Sequence, residues 1–141
     1  MPIQFISRNK KPSHRWLRYP VTGIEAFDQH HQELLERMNA LNEIMAKGGA
    51  GETALPLLNT LQTRFAVHFQ DEEQRMLARG YGRFSSHAED HQQFLAGPLA
   101  QVITQIGSGQ TGCDLNTLIQ WQASHISHYD RPMAAFLLAY S

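Results

Sequence analysis

Apolar residues return every three or four positions along four stretches of the chain. The first runs from about Gly23 to Lys47, and Ile24, Phe27, Leu34, Met38, Leu41 and Met45 define its apolar face. Gly48-Gly49 ends it. The second runs from about Glu52 to Arg79, with Leu58, Leu61, Phe65, Phe69 and Met76 on one side and Gly80 as its stop. The third starts near Phe84, with Ser85 or Ser86 as cap candidates, and reaches about Ile106. The fourth follows Asp114, an N-cap by residue type, and runs to about Ala139. No stretch alternates with the period of a strand. Long helices joined by short links predict an all-α, up-down-up-down four-helix bundle over residues 21–141, with an extended N-terminal arm over residues 1–20.

Two prolines interrupt this pattern. Pro98 follows Gly97 inside the third stretch and should kink or restart that helix. Pro132 lies inside the fourth and cannot donate a hydrogen bond to the carbonyl of His128.

Several ionisable residues share the apolar faces. On the second stretch, Glu72 falls near the centre of the apolar direction, His68 on its flank, and Glu73 to the side, where solvent is expected. His87, His91 and Phe94 line one stripe of the third. On the fourth, His125 lies beside the stripe of Leu115, Leu118, Met133 and Phe136. On the first, His30 and His31 flank the apolar direction by similar angles, and periodicity leaves the choice between them open. Asp130 is five residues after His125, about 140° away on a regular helix. Both can face the core only if the helix loosens locally. A π-type irregularity is therefore expected between His125 and Pro132, where one backbone bond is already missing.

One such histidine alone is ordinarily a satisfied or exposed residue. An inward His-x-x-x-Glu followed by an inward His-x-x-x-His is different. Burying these groups unpartnered would cost many kcal/mol. A metal centre removes that cost, because cations take neutral imidazoles and ionised carboxylates. Seven ligands are too many for one ion and suit two. The donor mixture fits iron, manganese or zinc. Carboxylates bridge metals and imidazoles normally do not, so Glu72 and Asp130 are the natural bridges. The histidine-rich balance favours reversible binding of a small molecule over the oxidative chemistry of Glu-rich di-iron sites.

Bulk properties narrow the class further. The 141 residues suffice for one domain with a core, and 42% hydrophobic content with a net charge of −1 excludes a disordered chain or a generic polyanion binder. No nucleic-acid partner is expected. No stretch has the roughly 20 apolar residues of a membrane span. Met1 to Tyr19 has no apolar signal-peptide segment, and the only cysteine, Cys113, reads as a bystander thiol in a Gly-rich loop, so a cytoplasmic location is expected. The arm carries Arg8, Lys10, Lys11, Arg15 and Arg18. It reads as a solvated leader with Trp16 and Leu17 packed down, ahead of an arm that docks on an acidic partner or membrane surface.

From about Gly23 to Leu138 the chain resembles the bacteriohemerythrins, the prokaryotic members of the hemerythrin family. The resemblance rests on Gly23-Ile24 with Asp28-Gln29-His30, on His68-Phe69 with Glu72-Glu73 and Met76, and on Tyr81, His87, His91 and Phe94. It continues through Trp121, His125-Ile126 and Asp130. It selects His30 over His31. It implies two iron ions bridged by Glu72, Asp130 and an oxo or hydroxo group. One iron, held by His87, His91 and His125, would be saturated; the other, held by His30 and His68, would keep an open position for O2. Trp121, Gln122, Ile126, Phe69 and Met76 would then line the ligand pocket.

The implied role is oxygen sensing, delivery or storage, with nitric oxide or small anions as other ligands and a fused or separate signalling partner. The alternatives are a di-iron enzyme with peroxidase, oxidase or nitric-oxide chemistry, and an iron-handling or repair protein. One position departs from the family: Gln122 stands where an apolar residue usually follows the Trp. A buried amide there needs hydrogen bonds. It is expected to make the pocket polar and the oxygenated state short-lived; otherwise it bonds to another helix and never meets the ligand.

Overall fold

The four periodic stretches form four helical rods in a computed structural model that describes residues 19–49 and 51–140. Helix α1 spans Glu25–Ala46 and α2 spans Gly51–Arg79. The third rod is α3 (Phe84–Phe94), a π turn (Leu95–Leu99) and α4 (Ala100–Gly107). The fourth is α5 (Asn116–His125), a second π turn (Ile126–Asp130) and α6 (Arg131–Ala139). Among the described residues there are no strands and no helix long and apolar enough to cross a membrane. The chain is an all-helical four-helix bundle, as the periodicity predicts. The basic arm and its Trp16 and Leu17 lie outside the described residues.

Local chemistry sets the ends of these rods. Ile24 precedes α1 in extended conformation and offers no side-chain cap. Asp28, in the first turn, ties down the chain that leads into the helix, accepting from the Thr22 and Gly23 amides at 2.8 and 3.1 Å and from Thr22 Oγ1 at 2.8 Å. Gly23 itself has φ +92°, a conformation that L side chains rarely adopt. Gly48 closes the other end with φ +76°, and the Gly49 amide reaches back to the Ile44 carbonyl at 2.8 Å. The serine caps expected for α3 are absent. Its N-cap is Arg83, and Ser86 Oγ donates instead to the Arg83 carbonyl at 3.2 Å. Asp114 acts one residue ahead of the α5 N-cap, Leu115, by accepting from the Asn116 amide at 2.9 Å. Asn42 of α1 accepts from the Leu115 amide at 2.7 Å, which ties the start of the fourth rod to the first.

The apolar interior is divided in two. The larger cluster includes Leu34, Leu35, Met38, Phe65, Phe69, Phe94, Leu118 and Ile126, and the smaller consists of Phe27, Met76, Met133 and Leu137. Ionisable residues fall between the two clusters on every rod. His31 lies between Phe27 and Leu34, Glu72 between Phe69 and Met76, His91 between Phe84 and Phe94, and Asp130 between Ile126 and Met133. A polar layer thus crosses the bundle with oil on both sides.

Candidate metal centre

Two groups of buried side chains make up this layer. Glu72, His87, His91, His125 and Asp130 form one, and His31, His68, Glu72 and Asp130 form the other; within each, the ligand atoms lie within 4.8 Å of one another. Glu72 and Asp130 belong to both, and each gives one oxygen to each group. Glu72 Oε1 faces His87 Nε2 at 3.3 Å and His91 Nε2 at 3.2 Å, while Oε2 faces His68 Nε2 at 2.8 Å and His31 Nε2 at 3.5 Å. Asp130 Oδ1 faces His87 Nε2 at 2.9 Å and His125 Nε2 at 3.1 Å, while Oδ2 faces His31 Nε2 at 3.1 Å. Each carboxylate thus has one oxygen available to each group.

The expected π irregularity is present over Ile126–Asp130, and it turns His125 and Asp130 into the same layer despite their spacing. The Pro98 region also loosens into a π turn, but no cluster residue lies on it.

The first helix corrects the sequence reading. His31, not His30, enters the cluster. Phe27, His31 and Leu35 follow one another at intervals of four, so they share one line on α1. Phe27 and Leu35 are fully buried, and His31 is only 4% exposed. Packing on both sides of His31 thus sets the rotation of the helix. His30, about 100° further round, is half-buried, with its Nδ1 3.2 Å from Nδ1 of His68.

Glu73 was expected in solvent and is instead a part of the centre. Its carboxylate lies 2.7 Å from His91 Nδ1, and Asp90 stands in the same relation to His125 Nδ1, also at 2.7 Å. Each holds the ring nitrogen that faces away from the cluster, which fixes the tautomer and leaves Nε2 free as a ligand atom. Glu73 and Asp90 each stand directly beside a cluster residue, Glu72 and His91, and that adjacency is the signal that marks such partners.

Flat stacking fixes the rings further. Phe69 lies on His91 at 3.9 Å and 8°, and Trp121 lies on His125 at 4.5 Å and 15°. Ile126 is buried in the larger apolar cluster and Met76 in the smaller. Gln122 is buried with both ends of its amide engaged. Its Oε1 accepts a short hydrogen bond from the Tyr19 hydroxyl, and its Nε2 donates to the His31 carbonyl at 3.3 Å. The polar group expected to face a bound ligand is therefore committed to protein partners.

Electrostatics match the layout. Burial opposes a charge on His31, but the facing carboxylates of Asp130 and Glu72 overcome it and raise the group to about 9. His125 is raised to about 9 against the same burial penalty, by Asp130 and then Asp90. Glu72 and Asp130 are driven well below the usual carboxylate range, because facing imidazoles outweigh the burial that would raise them. These directions favour the ionised carboxylate that a cation takes.

A fit to metal can be tested on orphaned atoms. Nε2 of His31 and His68, both Glu72 oxygens and Asp130 Oδ2 are buried without a well-formed hydrogen bond. All point into the layer, and all are donor types that a divalent cation takes. The residues present fit a two-metal site.

Comparisons with known proteins agree with this geometry. No solved structure matches the chain. A bacteriohemerythrin from Methylococcus capsulatus (strain ATCC 33009 / NCIMB 11132 / Bath) is 26% identical over 113 residues, covering 78% of this chain and 85% of that protein. The model of the hemerythrin HHE cation-binding domain matches residues 22–137, and the chain belongs to the hemerythrin family.

Proposed function

We propose that the chain carries two iron ions and binds O2 reversibly on the side of His31 and His68. The observation behind this reading is the uneven division of histidines across two shared carboxylates. Three imidazoles face one oxygen pair and two face the other. With both carboxylates shared, the three-histidine position has one more protein ligand than its neighbour. The two-histidine position is the one left room for an exogenous ligand. The irons supply the electrons and the coordination position for O2.

The protein residues do the rest. Glu72 and Asp130 hold the charge of the pair constant from a fully buried position. Glu73 and Asp90 orient His91 and His125. Phe69, Phe94 and Trp121 form a stack of rings against His91 and His125 on the three-histidine side. Tyr19 and the His31 carbonyl hold both ends of the Gln122 amide. A polar Gln122 facing the ligand would shorten the oxygenated state, and that amide is already engaged by Tyr19 and the His31 carbonyl.

The test is optical. Iron-loaded protein, reduced without air and then mixed with O2, should develop a charge-transfer band that fades on purging with inert gas and returns with O2. Immediate, permanent oxidation with turnover of added peroxide would support the enzyme reading instead. Release of iron on oxidation would support iron handling.

A further inference from the structure

The five buried imidazoles are not braced alike. His91 and His125 each direct Nδ1 at a carboxylate, 2.7 Å away in both cases. His68 directs its Nδ1 at another imidazole, that of His30, at 3.2 Å with the rings perpendicular at 89°. Only one proton fits between two ring nitrogens at that distance. His68 Nε2 faces Glu72 Oε2 at 2.8 Å inside the cluster, so a metal there takes Nε2 and the remaining ring proton sits on Nδ1. His30 Nδ1 is then the acceptor, and its own proton is on Nε2, at the half-buried edge of the bundle.

We propose that His30 is a positioning residue for His68 and that its neutral imidazole makes His68 a weaker donor than His91 and His125. A carboxylate acceptor draws the Nδ1 proton and pushes electron density onto Nε2. A neutral imidazole does this less. The two-histidine metal then has fewer ligands and a less basic one, so its ferric state is stabilised less than that of its neighbour. Easy return to the ferrous state is what reversible ligand binding on this side requires. The inference rests on the two-iron reading and adds to it an electronic difference between the metals.

Four proteins test it: wild type, H30A, H30Q and H30E. Iron content of the wild type comes first, because failure to hold two irons would sink the two-iron reading and not the role of His30. On loaded protein, exchange of the ligand N–H protons is followed by NMR through their metal-shifted resonances. Midpoint potentials are measured by titration. In H30A, one N–H resonance should exchange at least tenfold faster and metal affinity should fall by roughly 10–100-fold. H30Q keeps an acceptor and should restore both. H30E supplies a carboxylate and should lower the midpoint potential below the wild-type value. A wild-type potential in H30E would overturn the proposal, as would unchanged N–H exchange in H30A or failure of H30Q to restore it. If H30A does not fold, the contrast between H30Q and H30E decides alone.

Discussion

The two sides of the cluster share both carboxylates and differ in nearly everything else. On one side, His87, His91 and His125 come from the third and fourth rods and are pressed by Phe69, Trp121 and Tyr129, with Glu73 and Asp90 behind two of them. On the other, His31 and His68 come from the first and second rods. Their support is a half-buried imidazole and the amide of Gln122, which holds the His31 main chain. On the proposed reading the first side keeps a metal in one state, and the second, with fewer histidines, is the position that takes and releases a ligand. Chemistry inside a rigid bundle can thus be localised by withholding ligands and carboxylates from one half.

Removing what the halves share should have the largest effect. Glu72→Ala takes a bridging oxygen from each side and leaves buried imidazoles facing a void. Both metals should be lost, and the metal-free protein should be destabilised by about 3–5 kcal/mol, as when one partner of a buried ion pair is removed. Metal analysis and urea unfolding measure the two effects. Loss of one metal alone would show that the halves are not coupled through Glu72.

Acidity should act next, again on both halves, because His31 and His125 are each raised to about 9 in metal-free protein. A raised histidine stabilises the fold fully below its unfolded value of about 6.5 and loses that contribution as pH rises through the folded value. Metal-free protein should therefore weaken from pH 6.5 to 9. Metal binding must expel these protons, so affinity should rise over the same window, by up to about a hundredfold per pH unit if both leave. Urea midpoints and metal titrations at several pH values check the two opposite slopes.

The carboxylate braces separate the halves. Glu73→Gln and Asp90→Asn should weaken metal binding roughly 10–100-fold and ease reduction of the three-histidine metal. Equal effects on both metals would remove the distinction between the sides. The smallest effect belongs to the other side. Tyr19→Phe leaves Gln122 Oε1 buried without its donor and should cost about 1–3 kcal/mol. Adding Gln122→Leu should recover part of that loss, which a double-mutant cycle on thermal unfolding would show.

Much of this was legible in the order of residues. Spacing identified the four rods to within a few positions, and the five-residue step from His125 to Asp130 required the π turn that is present. Glu72 emerged from the apolar direction of its own helix. The failures share a cause: they concern what lies across from a residue and not along its helix. His30 and His31 are equivalent by periodicity until Leu35 is known to be as buried as Phe27. The family resemblance selects His30, whereas the buried cluster contains His31. Glu73 points sideways, which meant solvent from the sequence alone, yet a neighbouring rod places His91 there. Gln122 points inward, and its bond to the backbone of another helix is the one its second reading expects, while the Tyr19 hydroxyl is the partner the sequence does not indicate. Ser85 and Ser86 failed as caps because the helix already starts at Phe84, which puts both serines inside its first turn.

The central claim is that two metals are held and that His31 is a ligand of one of them. Anaerobic titration of metal-free protein with ferrous iron, at protein concentrations well above the dissociation constants, tests it directly. Wild type and His30→Gln should each take up two irons per chain, and His31→Ala should take up one. Two irons in His31→Ala, together with a deficit in His30→Gln, would contradict the account and restore His30 as the ligand.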